Sequence, residues 1–165
     1  MFDLKPISHD AIPEALEKVE RYRLLNEPAQ AESICLDILR IEPDNQKALV
    51  MMLLSVTDQL GSGGAASRAK TIVSRLTSEY ERAYFSGIIC ERTARALLDQ
   101  NSPGAAFSSY NGFLEAMEWY EKAEAIRPAG NDDAVLRWNT CVRTLQKNPT
   151  LRPRPEEAFE PVLGE

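Results

Sequence analysis

The single histidine of the chain, His9, stands beside Asp10, and this pair is the nearest approach in the sequence to acid–base or metal chemistry. Hydrolysis at a metal needs several such ligands converging on one ion. One imidazole ahead of the first helix cannot supply them, so His9 reads as a surface or capping residue. Cys35, Cys90 and Cys141 are widely separated and have no close Cys or His neighbour. An odd number so spread is neither a disulfide framework nor a zinc site. Each thiol sits in an apolar helical context, as a small core hydrophobe in a reducing compartment does, and no sequence neighbour supplies the charge that lowers a thiol pKa. Gly61-Ser62-Gly63-Gly64 lacks the Lys-Ser/Thr ending of a phosphate loop and follows a helical segment, which makes it a turn. Arg92 and Arg95 are flanked by Glu91 and Asp99, a mixed-charge helix face. No catalytic residue, metal or cofactor is expected from these groups.

Tyr110, Phe113, Trp119, Tyr120 and Trp138 concentrate aromatic area in the C-terminal third. Two readings stand side by side: the rings seal the last helices together, or they form an exposed patch that docks a partner or a second copy. Trp119 is the ring expected to face outward, because its neighbour Tyr120 belongs to the inward set.

The elements that position these groups are helices, and one spacing recurs among them. Ala31, Cys35, Ile38 and Pro43 fall at intervals of four, three and five, and Ala116, Tyr120, Ala123 and Pro128 repeat those intervals. Ala69, Val73 and Leu76 follow the same pattern and end on Glu81 where the others have proline. Copies of one helical signature point to stacked helix pairs, which offer a surface rather than a catalytic pocket.

Apolar periodicity predicts a first helix from Ala11 to Leu25 capped by Asp10, and a second from Pro28 to Ile41 closed by Pro43. A third, capped by Asp44, runs from Asn45 to Leu60, and a fourth from Ala66 to Ser78. Longer helices span Glu81 to Asp99 and Pro103 to Ile126. A last, single helix from Asp132 to Lys147 carries Val135, Trp138, Val142 and Leu145 on one stripe and covers the open end of the array. The expected organisation is an arm at 1–10, a helical domain at 11–147 and a proline-rich extended tail at 148–165. Leu151, Phe159, Val162 and Leu163 of that tail suit either a solvated linker or a segment lying in the groove of its own or a neighbouring molecule.

Composition bounds the partners. The chain has 165 residues, 44% hydrophobic, with 19 basic and 25 acidic side chains and a net charge of −6. That is enough chain for one core, and its field opposes a phosphate backbone, so nucleic acid is not expected. Met1 to Asp10 lacks the apolar stretch of a secretory signal. The longest apolar run, Ala48 to Val56, is too short to span a membrane. A soluble cytoplasmic protein is expected, with a bacterial source the weaker inference.

The small–apolar–small–proline spacing, each proline followed by a new helix, resembles the tetratricopeptide repeat family over Ala11 to Lys147. Tyr22 and Gly87 match parts of the family's first-helix pattern, whereas Glu81 replaces its proline and the last pair is longer than the family's. The resemblance implies an all-α, right-handed α-solenoid of about three helical hairpins plus a C-terminal capping helix, with no catalysis of its own. Its concave groove would hold a peptide or helix of a protein partner. Projected onto this chain, that groove carries Glu20, Arg23 and Leu24 from the first helix and Leu49, Leu53 and Val56 from the third. Tyr84, Ile88, Glu91, Arg92 and Arg95 come from the fifth. Leu49 and Leu53 equally suit the core, since the third helix is apolar on most sides. The clamp by which some members hold a C-terminal carboxylate is not expected, because Leu16, Glu20 and Val50 occupy the matching places. Besides a scaffold or adaptor, the reading admits a small acidic chaperone for secreted or assembling proteins and a regulatory subunit of an enzyme complex, with a homodimer possible.

Overall fold

Among the described residues seven α-helices follow a short 3₁₀ turn at His9–Ala11, and each packs mainly against its neighbours in the chain. The computed structural model describes residues 1–61 and 64–153, and it contains no β-strand among them. The helices are α1 (Ile12–Leu24), α2 (Pro28–Ile41), α3 (Gln46–Thr57), α4 (Ala65–Val73), α5 (Glu79–Gln100), α6 (Ala105–Ala125) and α7 (Asp133–Lys147).

Local chemistry sets the ends. Pro28 opens α2, where its missing N–H costs no intrahelical bond. The expected caps Asp10 and Asp44 are not used. Asp10 lies inside the 3₁₀ turn, and α3 starts one residue later, with the Asn45 side chain accepting from the Ala48 N–H at 2.9 Å. Ser78 does the same for α5, accepting from the Glu81 N–H at 3.2 Å. Asn101 and Gly104 adopt positive φ, of 49° and 79°, in the turn that reverses the chain between α5 and α6.

The fourth helix stops at Val73, short of the expected Ser78. Ser74 Oγ donates to the Thr71 carbonyl at 2.6 Å, and Arg82 donates to the carbonyls of Leu76 and Thr77 at 2.7 and 3.0 Å. Carbonyls satisfied this way need no further helical turn. The segment is also tied to the α2–α3 turn, because Arg75 donates to the Pro43 carbonyl at 2.6 Å and the Thr77 N–H donates to Gln46 at 2.9 Å.

The core has two lobes. Ile12, Leu16 and Val19 of α1 pack with Ala31, Cys35 and Ile38 of α2, while the larger lobe runs from Leu49 and Leu53 through Phe113 and Tyr120 to Cys141. Leu39 and Met52 touch both lobes and join them. The most extensive helix–helix contact is that of α5 with α6. A Cβ on Gly112 would stand 2.9 Å from Cβ of Ala94, and Ser109 Oγ donates to the Ala94 carbonyl at 2.7 Å. Phe113 and Tyr120 are fully buried there, burial of the Phe113 side chain contributing roughly 1.5–3 kcal/mol. Packing continues past Lys147, inside the expected tail: the Leu151 N–H donates to the Asn148 carbonyl and the Leu151 side chain is buried. Phe159, Val162, Leu163 and the idea that they lie in a groove fall outside the described residues, as do Ser62 and Gly63.

Candidate functional site: a polar strip across the odd-numbered helices

Asp58, the residue that ends α3, sits where its charge meets the negative end of the helix dipole. Two cations offset this. Arg23 Nε of α1 donates to Oδ2 at 2.9 Å, and an Arg92 guanidinium nitrogen of α5 reaches Oδ1 at 2.5 Å. The same Arg92 nitrogen donates to Thr57 Oγ1 at 2.7 Å and to the Leu54 carbonyl at 3.3 Å, capping the C-terminal turn of α3. A single carboxylate thereby links side chains of α1 and α5 to the end of α3.

One residue along α5, Glu91 extends the strip towards α7. Its side chain is only 2% exposed, and a carboxylate so placed must be bonded on both oxygens. Tyr120 Oη of α6 donates to Oε2 at 2.7 Å, and Arg95 donates to Oε1 at 3.0 Å. Arg137 of α7 donates to the same Oε1 at 3.4 Å. Burial, then the Glu91 carboxylate, holds the Tyr120 hydroxyl far above its ordinary pKa. That hydroxyl is therefore a permanent donor. Arg95 also lies over the Phe113 ring, 5.8 Å from its centroid.

The projected groove residues separate into two groups. Glu20, Leu24 and Arg95 are exposed, and Arg23, Tyr84 and Arg92 are half-buried on this face. Leu49, Leu53 and Val56 are fully buried, and Ile88 and Glu91 nearly so. The four apolar residues are core, because neighbouring helices close over a stripe that periodicity alone leaves open, whereas Glu91 is buried but bonded into the polar strip. The remaining face is polar rather than apolar. It includes a hollow of about 300 Å³ whose wall carries Thr57, Asp58, Arg92, Arg95 and Asp99. Asp58 and Arg137 were missed by sequence reasoning. The available signal for Asp58 was its acidic charge at a helix C-terminus, which demands a cation from elsewhere; nothing local marks Arg137.

The candidate chemical groups are placed elsewhere and apart. His9 Nε2 lies 2.6 Å from Glu42 Oε1 at the α2–α3 turn. Burial pushes the Cys35 and Cys141 thiols up to about 12, with the Glu91 carboxylate adding to the effect at Cys141. Burial and the neighbouring Glu115 raise Cys90 to about 11. Thiols held protonated in this way are poor nucleophiles. Trp119 is partly buried, with Lys122 Nζ 4.3 Å from its ring centroid, so it belongs to neither extreme of the aromatic readings. Among the described residues no helix is long and apolar enough to cross a membrane.

Comparison with known proteins returned no matching family model, no matching curated protein and no matching solved structure.

Proposed function

We propose that this chain is a non-catalytic interaction module built in the manner of tetratricopeptide repeats, and that it holds a peptide or helix of a protein partner along the face shared by α1, α3, α5 and α7. The observation that carries this reading is the Asp58 carboxylate bonded at once by Arg23 and Arg92. It supports an ordered row of odd-numbered helices, the arrangement in which repeats of this type line a groove. Arg92 and Arg95 border the hollow there with donors suited to backbone carbonyls and side-chain carboxylates of a bound segment. Gly87 against Tyr120 and Gly112 against Ala94 supply the close helix approach that such pairs need.

Site-specific photocrosslinking tests the assignment of the face. A benzophenone amino acid is placed at Glu20 or Asp99 on the odd-helix face, or at exposed Leu36 on α2, and each variant is irradiated in host lysate. The reading predicts a discrete adduct from Glu20 and Asp99 that is absent from Leu36. Adducts from Leu36 alone, or from none of the three, contradict it.

A further inference from the structure

The arginines of the polar strip outnumber the carboxylates they hold. Arg23 and Arg92 share Asp58, and Arg95 and Arg137 share Glu91. Two guanidiniums on one carboxylate leave each trio with a positive charge in excess, on a chain whose net charge is −6. The trio around Glu91 is also layered. Glu91 is 2% exposed, whereas Arg95 and Arg137 are 44% and 35% exposed. A segment laid on this face therefore meets the guanidiniums and not the acid.

Those guanidiniums have donors to spare. Each carries five N–H groups in one plane, a fork suited to a carboxylate. Among the described residues Arg95 donates from one terminal nitrogen, to Glu91 at 3.0 Å, and its plane lies over the Phe113 ring. Arg137 donates to the same Glu91 oxygen at 3.4 Å and is bonded to the side chain of Tyr84. Because both nitrogens approach one oxygen, carboxylates on alternate residues of an extended chain, about 6.6 Å apart, can reach both guanidiniums.

The positive patch is short. Asp99 stands one turn beyond Arg95 on α5, and Asp133 one turn before Arg137 on α7, both exposed. A long run of negative charge, such as a phosphate backbone, meets these acids and is repelled. A single pair of carboxylates fits between them.

We infer, on the reading that the odd-helix face is the binding face, that the partner segment is a peptide with a short acidic site: two side-chain carboxylates seated on Arg95 and Arg137 above Glu91. The contacts are charge-assisted and planar, so they fix the position of the segment along the groove as well as adding affinity.

Selection from a random peptide library tests this on the full chain. The peptides are fused through their C-termini to a phage coat protein, so that side chains alone supply carboxylates. The expected outcome is enrichment of Asp and Glu at alternate positions over the unselected library. A selected peptide, synthesised with an amidated C-terminus, is then expected to lose about tenfold in affinity on Arg95→Gln or on Arg137→Gln. It keeps its affinity on Arg40→Gln, an exposed position of α2. Raising sodium chloride checks the same charge dependence on the unaltered chain, where the affinity is expected to fall. Peptides selected with no acidic preference, or bound with an affinity indifferent to salt and to both substitutions, overturn the inference and leave the binding face standing. A selection that yields no peptide overturns both.

Discussion

Gly87 of α5 lies directly against the ring of Tyr120 of α6: a Cβ at residue 87 would stand 2.5 Å from Cε1 and 2.7 Å from Cδ1. The ring cannot yield, because it is fully buried and its hydroxyl is bonded to Glu91. The same Tyr120 bonds Glu91, and Glu91 in turn bonds Arg95 and Arg137 at the edge of the polar strip. Helix packing and the candidate binding face are one structure at this point.

Gly87→Ala is accordingly an overpacking substitution, although alanine is intrinsically the better helix former. It is expected to cost about 1–3 kcal/mol, read as a lower urea midpoint with unchanged slope. An equal or higher midpoint shows that the ring moves aside.

Asp58→Ala strips the shared partner from Arg23 and Arg92, whose side chains are 20% and 24% exposed. Two charge-assisted bonds lost in such a setting correspond to about 1–3 kcal/mol. Asp44→Ala serves as the exposed control, with an expected change within about 0.5 kcal/mol. Equal effects in thermal unfolding of the two variants refute a special role for Asp58.

The Tyr120 to Glu91 bond is accessible to a double-mutant cycle built from Tyr120→Phe and Glu91→Gln. A hydrogen bond to a buried carboxylate predicts a coupling of about 1.5–3 kcal/mol. Additive effects indicate that burial of the ring alone stabilises this contact.

The thiols give a pH dependence. Cys35 and Cys141 are raised from 9.0 to about 12 and Cys90 to about 11, in each case first by burial. Above pH 9 the unfolded chain releases thiol protons that the native chain retains, so the native state binds more protons and stability falls with rising pH. The thiol contribution is complete below about pH 9 and is lost as pH rises through 11 to 12. At pH 8 a thiol reagent should label Cys35 and Cys141 only after denaturant is added. Rapid labelling of either in the native protein contradicts their burial.

The sequence exposed elements better than it exposed depth. The boundaries of α2 at Pro28 and Ile41 match expectation because proline acts through its own backbone. The end of α4 did not, because Arg82 and the α2–α3 turn determine it across the fold. On the candidate face, spacing projected Arg23, Arg92 and Arg95 onto one groove; in the structure Arg23 and Arg92 share Asp58, and Arg95 bonds Glu91. Spacing could not separate Leu49, Leu53, Val56 and Ile88 from that groove. A helical period gives the direction of a side chain, whereas burial depends on which helix closes over it. Arg137 lies 46 residues from its partner Glu91, beyond the reach of any local pattern.

Amide hydrogen exchange, with and without the partner segment recovered by crosslinking, tests the central claim most directly. The account predicts added protection along α3 and α5 around Thr57, Asp58, Arg92 and Arg95, with α2 unchanged. Protection confined to α2, or no change in any helix, would contradict a partner held on the odd-helix face.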